Sequence, residues 1–294
     1  MLLGLAMNPT SASLDQTRAR VGSAEQGARR QHTWLVPLGR AGYAAAGFVY
    51  LIVGGLAAQA ALGTGGDTTG TGGALGYIVE APFGRLLLVI LAIGLAGYAI
   101  WRVLQALLDT EHKGEEPNGL AARIGFGVAA VIYAGLALSA AGMAVGKSST
   151  PDQEGQTQDR TYWLMSQPFG PWLVALVGAI VIGAGVAQFV QAYRASFVQK
   201  LREEEMSDKE RQFVNLAGRL GYVARGVVFG LTGIFLLVAG VQARPDQARG
   251  LGGVLATLAE QPFGPFLLGL VAVGLVAYGA YMLIAARYCR MVLS

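Results

Sequence analysis

Apolar residues fall in six runs along the chain, at about 41–62, 86–108, 124–146, 171–193, 220–241 and 266–286, each set off by polar stretches. Each run is close to the roughly 20 residues that a helix needs to cross a bilayer. The pattern predicts an all-α polytopic membrane protein with six transmembrane helices. Residues 8–33 are rich in Ser, Thr, Gln, Ala and Arg and poor in large apolar side chains, so 1–37 reads as a flexible cytoplasmic tail. The opening Met1–Ala6 is too short for a secretory h-region and lacks a basic lead.

The polar stretches set the orientation. Fifteen Lys and Arg residues fall in the two termini and in the loops after the second and fourth runs, against five in the other three loops. Positive charge stays on the cytoplasmic side, so both termini are expected inside, with the chain multi-pass in the inner membrane. Only Arg102 and Arg225 lie within apolar runs.

Internal similarity adds the next level. The odd spans open alike, with Arg40-Ala-Gly42-Tyr43, Arg123-Ile-Gly125-Phe126 and Arg219-Leu-Gly221-Tyr222. Seven residues on, each has a second aromatic: Tyr50, Tyr133 and Phe229. The even spans are entered through Pro82-Phe83-Gly84, Pro168-Phe169-Gly170 and Pro262-Phe263-Gly264. Three two-helix repeats result, over 38–110, 120–195 and 217–290, with a helical cytoplasmic linker over 196–216. Each enters and leaves on the same side, so the copies are parallel and compatible with a pseudo-threefold axis along the membrane normal. In the turns, proline suits the first helical turn, phenylalanine the headgroup level, and glycine the bend into the span. The stretch before the first turn, around Leu75–Val79, predicts a short helix on the outer leaflet.

Three copies of Arg-x-Gly-aromatic paired with Pro-Phe-Gly resemble the bacterial membrane family called domain of unknown function 1206, over about residues 38–290. The resemblance implies a six-helix protein of three two-helix repeats and no particular activity. The second repeat departs from the pattern, with Gln158-Asp159 where the outer repeats have Gly72-Gly73 and Gly252-Gly253.

Composition narrows the chemistry. Hydrophobic residues make up 53% and charged residues 14%, against about 25% charged in globular chains. Glycine occurs 43 times, which lets membrane helices approach closely. One cysteine, Cys289, cannot form an internal disulfide or complete a structural zinc site. His32 and His112 lie outside the spans, where they cannot serve a haem or di-metal site in the membrane. No cofactor and no metal are expected, and the net charge of +4 reads as topology rather than nucleic-acid binding. Ala141 to Ser148 only imitates a phosphate loop, because an apolar span precedes it and a polar loop follows; the expectation is a helix ending at Gly146 and Lys147.

Among individual residues, Arg225 stands out because Ala46 and Ala129 occupy its place in the other repeats. Arg225 and Arg102 fit two roles: snorkelling to the interface with lipid-phosphate contact, or an internal polar contact. Gly226 and Gly230 form a small-xxx-small pair suited to helix packing. Tyr98, Tyr278 and Tyr281 read as interface anchors. Ser207-Asp208-Lys209-Glu210 reads as a capping box leading into span five, with span four continuing as a helix into the cytoplasm.

No Asp or Glu lies within a span core, and no nucleophile–base pair suggests an enzyme. The leading functional expectation is a structural or accessory subunit packing against a membrane complex or itself. A small-solute or ion pathway along the pseudo-threefold axis is the alternative. Centrally packed Tyr50, Tyr133 and Phe229 would count against that pathway.

Overall fold

A computed structural model describes residues 35–108, 117–147 and 153–289. The tail read over 1–37 lies outside the described residues up to position 34, as do His32, His112 and Arg290; its last three positions open the first helix. Nine α-helices occur among the described residues: α1 Leu35–Ala61, α2 Thr71–Glu80, α3 Gly84–Leu108, α4 Pro117–Ala144, α5 Gln153–Met165, α6 Gly170–Arg194, α7 Asp208–Gln242, α8 Leu251–Ala259 and α9 Gly264–Tyr288. Six of them, α1, α3, α4, α6, α7 and α9, are long and apolar enough to cross a membrane. The short α2, α5 and α8 precede the three Pro-Phe-Gly turns. At the foot of α4, Gly146 takes a left-handed φ of 71° and the Lys147 N–H donates to Gly142 O at 2.9 Å, so the helix ends as expected at glycine and lysine.

The Pro-Phe-Gly turns are built differently from the expectation. Phenylalanine, not glycine, takes the left-handed conformation, with φ of 61°, 60° and 63° at Phe83, Phe169 and Phe263. Proline precedes the helix instead of opening it. The N–H groups of Gly84, Gly170 and Gly264 close each turn onto the carbonyls of Ala81, Gln167 and Gln261 at 2.8, 2.8 and 2.7 Å. Glycine is required for space. A Cβ there would sit 2.1 Å from Ile78 O, 2.3 Å from Met165 O and 2.0 Å from Ala259 O. The last carbonyls of each short helix therefore rest directly on the first residue of the next span. The three phenylalanines are about four-fifths exposed, which suits a ring at the headgroup level.

Neighbouring spans follow the order α4–α3–α1–α9–α7–α6. The most extensive packing joins different repeats: α3 with α4, α6 with α7, and α9 with α1. Glycine makes these contacts close. A Cβ on Gly47 of α1 would stand 2.9 Å from Gly279 O of α9, and one on Gly178 of α6 would stand 2.5 Å from Leu237 N of α7. Such backbone-to-backbone approach is what small residues permit between membrane helices.

Within the outer repeats the two spans also pack, α1 on α3 and α7 on α9. The motif glycines carry this contact: a Cβ on Gly42 would lie 2.6 Å from Tyr98 Cβ, and one on Gly221 would lie 2.6 Å from Tyr278 Cβ. One level along, Gly94 meets Ala45 and Gly274 meets Ala224 in the same way. The second repeat lacks this packing. Its spans, α4 and α6, do not pack along each other, and a Cβ on Gly125 would meet nothing within 4 Å. The residues explain the difference. Where the outer repeats have Tyr98 and Tyr278, the second has Ala184; where they pair Ala45 with Gly94 and Ala224 with Gly274, it has Val128 and Ile180. Two β-branched residues replace the small pair, so the backbones cannot close, and the anchoring ring is gone. Val128 and Ile180 are half exposed, at 50% and 52%. The six spans thus form an arc with a lateral opening between α4 and α6.

The linker after α6 corrects the helical linker expected over 196–216. Span four does not continue as a helix. It stops at Arg194, where Ala195 turns left-handed with φ of 49°, and short 3-10 turns follow over Val198–Lys200 and Glu203–Glu205. The apolar side chains of the linker decide this. Phe197 is fully buried, stacks on Tyr222 at 5.0 Å and meets Tyr281 edge-on at 5.2 Å. Leu201 is equally buried and bridges to Cys289, while the Arg202 N–H donates to Tyr288 O at 2.8 Å. Burying these groups under the bundle outweighs one more helical turn in water. Helix α7 then begins at the expected capping box, with the Glu210 N–H donating to Ser207 Oγ and the Ser207 N–H donating to Glu210 Oε2 at 2.9 Å.

Candidate functional site

Chemistry concentrates where Arg102 and Arg225 enter an aromatic cluster. Tyr98 and Tyr278 hold equivalent places, each 14 residues beyond the start of its span at Gly84 and Gly264. At about 1.5 Å per residue this puts both some 21 Å along their helices, inside the hydrocarbon layer and in the half away from the short helices. Tyr98 OH accepts a hydrogen bond from Arg102 Nη2, and Tyr278 OH accepts one from Arg225 Nη1. The tyrosines expected as interface anchors are instead core residues: Tyr98, Tyr278 and Tyr281 are all nearly fully buried. Tyr98 finds its donor one turn on, at Arg102, whereas the donor to Tyr278, Arg225, is 53 residues away and lies in no local sequence window.

Each guanidinium is caged by rings from three helices. Arg102 lies 4.8 Å from the Tyr98 ring, 5.3 Å from Phe126 on α4 and 6.0 Å from Tyr43 on α1. Arg225 lies 4.5 Å from Tyr278, 4.9 Å from Phe229 and 5.5 Å from Tyr50 on α1. Arg102 Nη1 also donates to Gln105 Oε1 at 3.0 Å. Neither side chain reaches for a helix end; both make internal polar contacts. A charge at the bilayer centre costs about 2.5–3.5 kcal/mol on insertion scales. A hydrogen bond to a charged group returns about 1.5–3 kcal/mol, and a cation–π contact about 0.5–2 kcal/mol. The cages are therefore sufficient to hold both charges at this depth.

The two cages belong to one cluster. The Tyr98 ring packs 4.5 Å from Tyr133, edge to face, and Tyr50 packs 4.9 Å from Tyr278. Tyr133 on α4 belongs to the same buried cluster as Tyr50 and Tyr278. Tyr50 and Tyr133 are buried and Phe229 is half-buried against them, so rings fill the middle of the bundle. Among the described residues no carboxylate pairs with Arg102 or Arg225; the ion pairs Arg202–Glu205, Arg211–Glu203 and Arg244–Asp246 lie elsewhere. No group of three or more His, Cys, Asp or Glu gathers among the described residues.

The other sequence-singled residues take structural places. Gly226 faces the Phe189 ring of α6, where a Cβ would stand 2.9 Å from Phe189 Cζ. Gly230 contributes its backbone, against which Gly185 packs, while its own Cβ position is open. Arg123 spans from α4 to cap α3, donating to Ala106 O at 2.8 Å and Leu107 O at 3.1 Å. Pro82, Phe83, Gly84, Pro168, Phe169, Gly170, Pro262, Phe263 and Gly264 form the turns described above and touch neither arginine.

The family described as Domain of Unknown Function (DUF1206) matches three times, over residues 41–109, 124–195 and 220–289. The chain belongs to this family. Its boundaries coincide with the three span pairs, so one DUF1206 unit is an odd span, a short surface helix and an even span. A similar protein is "Uncharacterized protein YxxB" of Bacillus subtilis (strain 168), 37% identical over 260 residues, covering 88% of this chain and 92% of that protein. No solved structure matches.

Proposed function

We propose that this DUF1206 protein is a non-catalytic membrane subunit, multi-pass in the cytoplasmic membrane with both termini inside. It packs through the opening of its second repeat against a transmembrane helix of a partner or of a second copy. The observation that carries the reading is the unpartnered Gly125 facing the arc's opening, beside Val128 and Ile180. The outer repeats fill the same level with their own Tyr98 and Tyr278. A helix from another chain would bury exposed apolar side chains such as Ile124, Val128, Leu176 and Ile180. The rings of Tyr50, Tyr133 and Phe229 in the centre speak against a path along the axis. A photo-crosslinking residue at position 128 or 180 tests the reading in native membranes. One stoichiometric adduct from both sites, absent from the exposed Ile93 on α3, is the expected result; its mass separates a partner from a second copy. Adducts with lipid alone at all three positions would refute it.

A further inference from the structure

Gln188 is a polar residue inside a span that the arginine cages leave out. It stands 18 residues beyond Gly170, the place that Arg102 takes after Gly84 and Met282 after Gly264. At about 1.5 Å per residue this is about 27 Å along α6, still within the hydrocarbon layer. In the first repeat the residue one turn earlier is Tyr98, whose hydroxyl accepts from Arg102. In the second repeat it is Ala184, which is exposed and has no polar side chain to offer. Gln188 is nine-tenths buried, at the edge of the α6 stripe that meets α7 through Gly178 and Gly185. Its Oε1 is enclosed and has no hydrogen-bond partner. Side chains on a helix lean toward the turn before them, which for Gln188 is the turn of Ala184 and the opening. Across that opening Gly125 is equally unserved. Gly42 and Gly221 receive the Cα and Cβ of Tyr98 and Tyr278, and Gly125 receives nothing within 4 Å.

We infer that the helix docked in the second repeat's opening belongs to a different membrane protein and carries a neutral hydrogen-bond donor, a hydroxyl or carboxamide side chain, that Gln188 receives. The inference rests on the partner reading above and specifies the chemistry of its occupant. An enclosed acceptor with no donor is costly where water is absent, and a donor arriving with the helix removes that cost. The terminal torsion of a glutamine is broad, so its amide turns to a new neighbour without moving α6. A cationic donor would add a third positive charge to those of Arg102 and Arg225 at this depth, which makes a neutral one the cheaper solution. Depth also selects the source. The lipid-facing residues of this chain near that level, such as Ile100, Val103, Val186, Val190, Leu220 and Val223, are aliphatic. The exposed Tyr193 stands more than a turn further along α6. A second copy therefore brings no matching donor, and a different chain is required.

The test places a photo-crosslinking residue at position 128 of the full chain in native membranes. The chain with Gln188→Met is co-expressed with one that keeps Gln188, each with its own epitope tag, so the ratio of the two adducts reads relative affinity. Methionine fills the space without a strong polar atom, and the third repeat carries it at this place as Met282. The Gln188→Met adduct is expected to be weaker by about three- to tenfold, the scale of an interhelical hydrogen bond in lipid. Mass spectrometry of the adduct should find Ser, Thr, Tyr, Asn or Gln within one turn of the linked residue on a different protein. The Gln188→Met chain purified alone in detergent should unfold at the same temperature or higher, because an unpaired acceptor has gone. Equal adducts from the two chains overturn the inference and leave the docked helix standing, as does an adduct with a second copy. A lowered unfolding midpoint overturns it as well, by giving Gln188 a role within its own chain. Lipid adducts alone refute the partner reading and the inference with it.

Discussion

Alanine at the three motif glycines separates a packed repeat from an open one. At Gly42 and Gly221 an added Cβ would lie 2.6 Å from the Cβ of Tyr98 and Tyr278, with backbone atoms of the same residues at 2.7 Å and 2.6–2.8 Å. Ordinary carbon contacts begin near 3.5 Å, so the helices must part by almost 1 Å. Neither tyrosine can yield, because its hydroxyl is tied to an arginine and its ring is buried. Overpacking of this kind costs about 1–3 kcal/mol. At Gly125 the added Cβ meets nothing, so only helix propensity acts, and alanine gains up to about 1 kcal/mol over glycine. Thermal unfolding in detergent micelles, followed by far-UV circular dichroism, measures all three. At about 2–4 °C per kcal/mol for a chain of this size, Gly42→Ala and Gly221→Ala should each lower the midpoint by roughly 2–12 °C. Gly125→Ala should leave it unchanged or raise it. If Gly125→Ala destabilises as much as Gly42→Ala, α4 and α6 are packed in the membrane and the open second repeat is wrong.

Further expectations follow from other contacts. Tyr98→Phe or Tyr278→Phe keeps the ring cage but removes the acceptor for a guanidinium, and should destabilise by about 1.5–3 kcal/mol in the same unfolding assay; an unchanged midpoint would show the hydroxyls carry no weight. Phe197→Ala empties a fully buried position and should cost about 3–5 kcal/mol, with tryptic cleavage at Arg202 accelerating in intact proteoliposomes. Phe169→Gly removes a left-handed non-glycine residue whose side chain is exposed, so stability should rise by up to about 1 kcal/mol; a loss above 1 kcal/mol would mean the ring packs on something. Glu210 lies in the charged first turn of α7, ahead of the apolar run, where hydrogen bonds from the Ser207 N–H and hydroxyl hold its carboxyl below the usual carboxylate value. Because the folded-state value is lowered, the cap's contribution is complete above the ordinary glutamate value and is lost as pH falls through the lowered one. Hydrogen exchange in the first turn of α7 should therefore quicken on acidification through that range, and Glu210→Gln, which cannot titrate, should abolish the pH dependence.

Local patterns carried much of this molecule. Six apolar runs fix six spans, because a bilayer admits backbone only when its hydrogen bonds are satisfied within the helix. The capping box at Ser207 and the glycine end of α4 were legible because capping involves residues within one turn of each other. The repeats were legible as well, since Arg-x-Gly-aromatic and Pro-Phe-Gly recur in register. Even the break in the second repeat is written there, as Val128, Ile180 and Ala184 against their small or aromatic counterparts, but its meaning requires knowing that those positions face one another.

Tertiary structure decided the rest. Phe197 and Leu201 suit a helix as well as they suit a buried plug, and only the pocket formed by Tyr222, Tyr281 and Cys289 selects the second. In the turns, the left-handed residue is phenylalanine because glycine is needed one position later, against helix carbonyls five and six residues earlier. Tyr278 looks like an interface anchor as long as its hydroxyl has no visible partner. Arg225 and Tyr278, 53 residues apart in the chain, meet only when α7 packs on α9. Sequence alone specified which segments enter the membrane, since that is a property of each segment and its solvent. Which polar groups meet there depends on the order of neighbours, α4–α3–α1–α9–α7–α6, which is set by how closely pairs of backbones can approach across the whole chain.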